Sequence, residues 1–261
     1  MSSESTLMTN RNDDFTAYHY TPRATDYVLS SVHSEGADLD EVEQSIKGKG
    51  YRRVLDLGCG GGHVSYRIAP YVDQVVACDI TASMLNAVAS QAIERKLPNI
   101  MVKQASAEKL PFDSAFFDAI VCRFSAHHWG NMEAGLREAR RVLHLEGIAL
   151  FIDSVAPSYP LYNTYLQAIE LLRDVSHVRN YTLPEWIAAL SRAGFSVQKL
   201  TPRRLRMVFQ DWVNRTHCLP EHQLAIRSLQ LTAAEDVQRY FALEKEGSFL
   251  LDTLTISATA A

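Results

Sequence analysis

The sequence predicts an α/β fold: a doubly wound, mostly parallel sheet with helices on both faces and one late antiparallel strand. Three observations carry that expectation. Short runs rich in Val, Ile and Leu alternate with helix-length segments whose apolar residues recur every three or four positions. That alternation implies βαβ units, a parallel sheet and right-handed crossovers. A glycine-rich turn follows the first strand run, and two strand-like runs close the chain after a mostly helical stretch.

Taken in order, residues 1–50 start polar, carry a helix-like stretch at 23–34 and turn acidic at 38–43. RRVLDLG (52–58) reads as a short buried strand ending in glycine. Val64, Ile68 and Val72 then mark one helix face. QVVACDI (74–80) is a second strand, after which Thr81 is placed to cap a helix bearing Leu85, Val88 and Ala92. IMVKQA (100–105) and FDAIVCRF (117–124) are further strands. Met132, Leu136, Ala139 and Leu143 precede strand IALFID (148–153). Beyond it, Thr182 with Glu185 reads as a capping box, with Gly194 at the far end of that helix, and Thr232 with Glu235 as a second box. Residues 196–209 and 248–257 supply the late strands. No repeat and no Gly-, Ser- or Pro-rich linker divides the chain. We expect one domain over 1–261: an N-terminal helical cap (1–50), a binding core (51–157), and a helical substrate lid with the final strands (158–261).

Composition narrows the function. Hydrophobic residues are 47% and charged residues 21%, which suits a globular chain. Basic residues number 26 against 30 acidic, a net charge of −4, which argues against a dedicated nucleic-acid partner. No apolar run is long enough to span a membrane, and the polar start does not read as a secretory signal. Cys59, Cys78, Cys122 and Cys218 are far apart, without metal spacing, and read as reduced thiols of a cytoplasmic protein; no metal site is expected.

The chemistry concentrates in VLDLGCGGGHVS (54–65), a strand–loop–helix context suited to a cofactor. A dinucleotide fingerprint needs a third glycine where His63 stands, and Asp56 would repel a pyrophosphate. A positively charged ligand without phosphate fits better. Asp79 ends the next strand 21 positions after Gly58, where a carboxylate can take both ribose hydroxyls of either cofactor type.

Together with VACDIT (76–81), ASAEKLPF (105–112), FDAIVCRFSAHHW (117–129) and EARRVL (138–143), this motif resembles the class I S-adenosylmethionine-dependent methyltransferases, in the flavour of the ubiquinone/menaquinone biosynthesis group. The resemblance extends through 176–195 and 247–257. It implies a Rossmann-like fold, S-adenosylmethionine as cofactor and a small-molecule methyl acceptor. It implies that Asp56, Gly58 and Gly60 hold the methionine end, and that Asp79 takes the ribose. It further implies that Ile80 and Met84 pack on adenine, Ala107 and Glu108 lie along its edge, and Arg123 and Phe124 approach the methionine. Ser106 stands where relatives often carry Asp, and Leu145, Glu146 and Gly147 replace a Pro-Gly-Gly turn.

His127 and His128 are the catalytic candidates, as a general base or as pocket wall; neighbouring Trp129 favours the wall. Tyr18 and Tyr20 could close over the cofactor, and His177, Arg179 and Tyr181 could line the acceptor pocket. Arg203, Arg204, Arg206 and Arg215 read as a solvated basic face. Two rival functions stay open: a non-catalytic S-adenosylmethionine-binding module acting through a partner, and an NAD-dependent oxidoreductase, which the missing glycine and Asp56 oppose.

Overall fold

The computed structural model describes residues 11–21 and 36–261; the helix expected at 23–34 lies outside them. The elements run α1 (Arg11–Tyr20), α2 (Ala37–Ile46), β1 (Arg53–Leu57), α3 (His63–Ile68), β2 (Gln74–Asp79), α4 (Ala82–Glu94), β3 (Ile100–Gln104), β4 (Phe117–Arg123), α5 (Met132–Val142), β5 (Leu143–Ser154), α6 (Pro160–Arg173), α7 (Leu183–Arg192), β6 (Phe195–Met207), α8 (Phe209–Asn214), α9 (Pro220–Leu231), α10 (Glu235–Phe241) and β7 (Phe249–Ala260).

The strands form one seven-stranded sheet in the order β3-β2-β1-β4-β5-β7-β6. β1 to β5 pair in parallel, and β7 runs antiparallel to both β5 and β6. The sequence expectation of one antiparallel strand is therefore met. Winding reverses between β1 and β4, so the loops after these two strands open side by side at the carboxyl edge. Open α/β sheets bind ligands at this switch point.

Period-two alternation sorts the core. Val54, Val75, Ala119, Val121, Leu150 and Ile152 face α2 and α3, meeting Leu39, Val42, Val64 and Ile68. Leu55, Leu57, Ile120, Cys122 and Phe151 face the other way, onto Leu136 and Ala139 of α5 and Trp186 and Leu190 of α7. A further cluster joins α6, α8, α9 and α10 to the facing ends of β6 and β7, around Trp212, Phe241 and Phe249.

Two local expectations change. β5 starts five residues before the expected position, at Leu143. Its pairing with β4 jumps from Phe117↔Leu143 to Ala119↔Ile148, so the 144–147 segment bulges from the ladder. The Thr182 capping box forms as expected, with both reciprocal hydrogen bonds, but Thr232 caps nothing. It ends α9, donating its hydroxyl to Ser228 O, and Ala234 begins α10 without a side-chain cap. A Thr hydroxyl can turn back to a helix carbonyl as readily as forward to an amide, and here the preceding helix claimed it.

Candidate active site

A cavity of about 330 Å³ lies at the carboxyl edge of the sheet. One end is the glycine loop. Gly58 has φ +71°, and a Cβ there would sit 1.9 Å from Ser125 Oγ. Only glycine lets the loops after β1 and β4 come this close. Gly62 has φ +79° and opens α3, where a Cβ would strike the Tyr66 ring at 2.8 Å. Asp79 Oδ2 accepts Gly60 N–H at 2.9 Å, and Oδ1 accepts Thr81 N–H at 2.8 Å. Burial pushes the Asp79 carboxyl up, against these hydrogen bonds. The Thr81 hydroxyl and the Ile80 amide also act on it, so any ligand hydroxyl would share its acceptor positions with the loop. Gly58, Gly60, Asp79, Ile80, Met84, Ala107, Glu108, Arg123 and Phe124 all line the cavity, together with Ser106. Ser106 Oγ accepts Glu108 N–H at 3.2 Å, and Glu108 Oε1 accepts Asn131 N–H at 2.7 Å.

Asp56 lies behind the glycine loop. It is 1% exposed, and Oδ2 accepts both Ser65 N–H (3.0 Å) and Ser65 O–H (2.6 Å). It borders a smaller recess behind the loop, shared with Gly58, Gly60, His63, Arg123 and Phe124, and not the main cavity. Burial drives its carboxyl up to about 7 despite the Ser65 bonds. Its evident work is to pin the first turn of α3.

The β4 loop supplies the second wall. Phe124 has φ +50°, rare for a residue with a ring, and costs on the order of 1–3 kcal/mol. The turn it makes brings Ser125, His127, His128 and Trp129 onto the cavity. Arg123 Nε donates to Asp38 Oδ2 at 2.5 Å, a pair that fixes α2 to this wall.

The two histidines are unlike. His127 Nδ1 lies 2.5 Å from Asp153 Oδ1, and its backbone N–H donates to Asp153 Oδ2 at 3.2 Å. A carboxylate only accepts, so Nδ1 bears the proton and Nε2 is the basic nitrogen. Burial pulls the His127 pKa down, but the charge and hydrogen bond of Asp153 outweigh burial, and the net shift is upward. His128 has both nitrogens engaged, Nε2 at 3.1 Å from Tyr20 OH and Nδ1 at 3.1 Å from Ser176 O. Burial, helped by the His127 charge, drops it to about 4.

The N-terminal helix α1 joins the same wall. Tyr20 O–H donates to Asp174 Oδ2 at 2.6 Å, and Asn12 Nδ2 donates to His128 O at 3.1 Å. Burial would raise the Asp174 carboxyl, but His19, His128, Arg173 and Ser176 hold it well below the usual range.

Four expected pocket residues do not line the cavity. Tyr18 is 82% exposed on the outer side of α1. Helical spacing explains the miss, since Tyr18 and Tyr20 are two positions apart and cannot share a face. His177 packs behind His127, ring centroids 5.5 Å apart, and burial lowers it to about 2. Arg179 pairs with Glu185 at 3.0 Å, and Tyr181 packs on Trp186. This segment instead clamps the β4 loop, with Val178 and Arg179 N–H both donating to His127 O.

The arginine face also divides. Arg203 and Arg215 line the cavity, as does Arg173. Arg204 turns to Asp252, and Arg206, which borders the cavity, is held by Glu244. Sequence reading missed Asp38, Ser125, Asp153 and Asp174. Asp153 carried a signal, because it closes a buried strand just as Asp79 does.

The model of the methyltransferase domain family matches residues 55–151. The Escherichia coli (strain K12) protein YafE, uncharacterized, is 39% identical over 201 residues, 77% of this chain and 97% of that protein. The uncharacterized methyltransferase YcgJ of Bacillus subtilis is 34% identical over 196 residues, 75% of this chain and 78% of that one. The crystal structure of YcgJ superposes with a TM-score of 0.82 at 30% identity, covering 85% of this chain and 97% of that chain. A ubiquinone/menaquinone biosynthesis C-methyltransferase of Coxiella burnetii is 36% identical over 122 residues, 44% of this chain and 49% of that protein. With the glycine loop, the strand-ending Asp79 and the seven-stranded sheet in place, the chain belongs to the S-adenosylmethionine-dependent methyltransferase family.

Proposed function

We propose that this chain moves the methyl group of S-adenosylmethionine to a small organic acceptor by in-line displacement, with His127 as general base. One observation carries the reading: a single cavity is lined both by the glycine loop with Asp79 and by His127, whose Nδ1 is held by Asp153. Gly58, Gly60 and Asp79 would hold the cofactor's methionine and ribose, Ile80 and Met84 would pack on adenine, and Ala107 and Glu108 would edge it. The cofactor supplies a methyl group on a positive sulfonium, and transfer discharges that sulfur. A cavity with apolar walls therefore favours the step, and alignment at about 3–3.5 Å supplies much of the rate.

His127 suits the base role because Asp153 holds its tautomer and stabilises the imidazolium, the logic of a His–Asp pair elsewhere. His128 serves as wall and as anchor for Tyr20. The acidic net charge supports a small acceptor over nucleic acid. The buried and separated cysteines support a cytoplasmic location.

The test is incubation of the chain with methyl-labelled S-adenosylmethionine and cell extract. Label in a dialysable product supports the reading. Label in protein or nucleic acid refutes the small acceptor, and cofactor binding without any labelled product favours a binding module.

A further inference from the structure

We infer that Asn180 is a specificity-determining residue for the methyl acceptor, its side-chain N–H donating to an oxygen that the acceptor carries on an apolar body. This rests on the methyl-transfer reading above. Among the described residues, two side chains that line the cavity keep a buried polar atom with no hydrogen-bond partner, Thr16 Oγ1 and Asn180 Nδ2. They belong to different ends. Thr16 lies one turn before Tyr20 on α1, and Tyr20 packs on Met84, at the end proposed for adenine. Asn180 lies against the end of β5, which the sheet order sets on the far side of β4 from β1 and its glycine loop.

The other polar groups of Asn180 are all taken. Its backbone N–H donates to Gln167 Oε1 at 3.1 Å, and its carbonyl accepts Gln167 Nε2 at 2.7 Å. Ser154 O–H donates to Oδ1, which fixes the amide's orientation and leaves Nδ2 over. The residue is 0% exposed. A buried amide donor without a partner is costly, and an apolar residue would serve folding better unless a ligand answers the donor. An amide N–H only donates, so what answers it is a lone pair, as on a carbonyl or ionised hydroxyl oxygen, and not an ammonium. Leu205, Met207, Trp212 and Leu251 line the same cavity and suit an apolar remainder. Asn180 is also tied to the proposed base. Ser154 N–H donates to Asp153 Oδ1 at 2.8 Å, the oxygen that lies 2.5 Å from His127 Nδ1. Consecutive residues at the end of β5 therefore hold both His127 and Asn180, and an oxygen seated on Asn180 fixes the acceptor relative to the base.

The test is a titration of the full chain, labelled with heavy nitrogen and loaded with S-adenosylhomocysteine, followed by NMR. The probes are acetophenone and α-methylstyrene, which share a shape and differ by a carbonyl oxygen in place of a methylene. Acetophenone is expected to bind about tenfold more tightly, and it alone should shift the Asn180 side-chain amide signal. Asn180→Asp keeps an acceptor for Ser154 and removes the donor, and Asn180→Leu removes both; each should lose the preference while S-adenosylhomocysteine affinity stays level. Exposed Arg239→Gln should keep it. Equal affinity for the two probes, no binding by either, an Asn180 amide signal indifferent to acetophenone, or a preference that survives in the Asn180 variants overturns the proposal. The wild-type amide signal decides even where a variant fails to fold. Failure of S-adenosylhomocysteine itself to bind the wild type would instead bring down the methyl-transfer reading and this inference with it.

Discussion

The glycine end of the cavity is built from backbone that one carboxylate holds in position; the arginine end is built from side chains on separate elements. At the glycine end, Asp79 accepts Gly60 and Thr81 amides, and Gly58 lies against Ser125. At the other end, Arg173 comes from α6, Arg203 from β6, and Arg215 follows α8. The first arrangement needs a few residues close in sequence, so one ligand can be kept while the rest of the chain changes. The second depends on packing between distant segments.

The largest expected effect tests the backbone end. Asp79→Ala should weaken S-adenosylhomocysteine binding by about a thousandfold, since two hydrogen bonds to a carboxylate are worth roughly 1.5–3 kcal/mol each. Calorimetry reads this, and circular dichroism of the same sample should match wild type. Unchanged affinity would remove Asp79 from the ribose role.

His127→Asn comes next and probes where the two ends meet. A positioned base contributes about 10²–10⁴-fold, so labelled-product formation from extract should slow by about a hundredfold or more. His128→Asn should cost only a few-fold. The pH profile gives the sign. A base must be deprotonated, and Asp153 raises His127 above its ordinary 6.5, so the rate should climb with pH through a midpoint above 6.5. His128, at about 4, is neutral across pH 5.5–8.5 and would give no limb there. A limb that survives His127→Asn would shift the base elsewhere.

Gly58→Ala should cost about tenfold in cofactor affinity from its left-handed backbone alone, on the order of 1–2 kcal/mol, with the Ser125 clash added. Adding Ser125→Gly should recover the clash and leave the backbone cost. A double variant no better than Gly58→Ala would mean the two loops do not press on each other.

The unequal legibility of the two ends follows from their construction. Gly58, Gly60 and Asp79 could be placed from sequence because a turn after one strand and an acid after the next are local features, and the parallel sheet brings them together automatically. That Asp56 of the same motif also holds Ser65 was not legible, since a strand residue's direction depends on the pleat and not on the motif. Asp174 and Arg173 were invisible as site residues because nothing near them in sequence marks them. Tyr20 reaches Asp174 across 154 positions, and Arg203 and Arg204 part company only because neighbours in a strand face opposite ways. The 177–181 loop lies beside the site, but the His177 ring and the Arg179 amide support His127 from behind and Tyr181 packs on Trp186.

The smallest effect lies outside both ends. Thr182→Ala removes the capping box of α7 and should cost about 1 kcal/mol in urea unfolding, with S-adenosylhomocysteine affinity unchanged. A matching loss of affinity would mean that α7 packing, and not only the loops, governs the glycine end.

The arrangement as a whole is tested most directly by a crystal structure of the chain with S-adenosylhomocysteine. Ribose hydroxyls are expected on Asp79, adenine between Met84 and Ala107, and the sulfur facing His127. A cofactor bound elsewhere, or ribose away from Asp79, would contradict it.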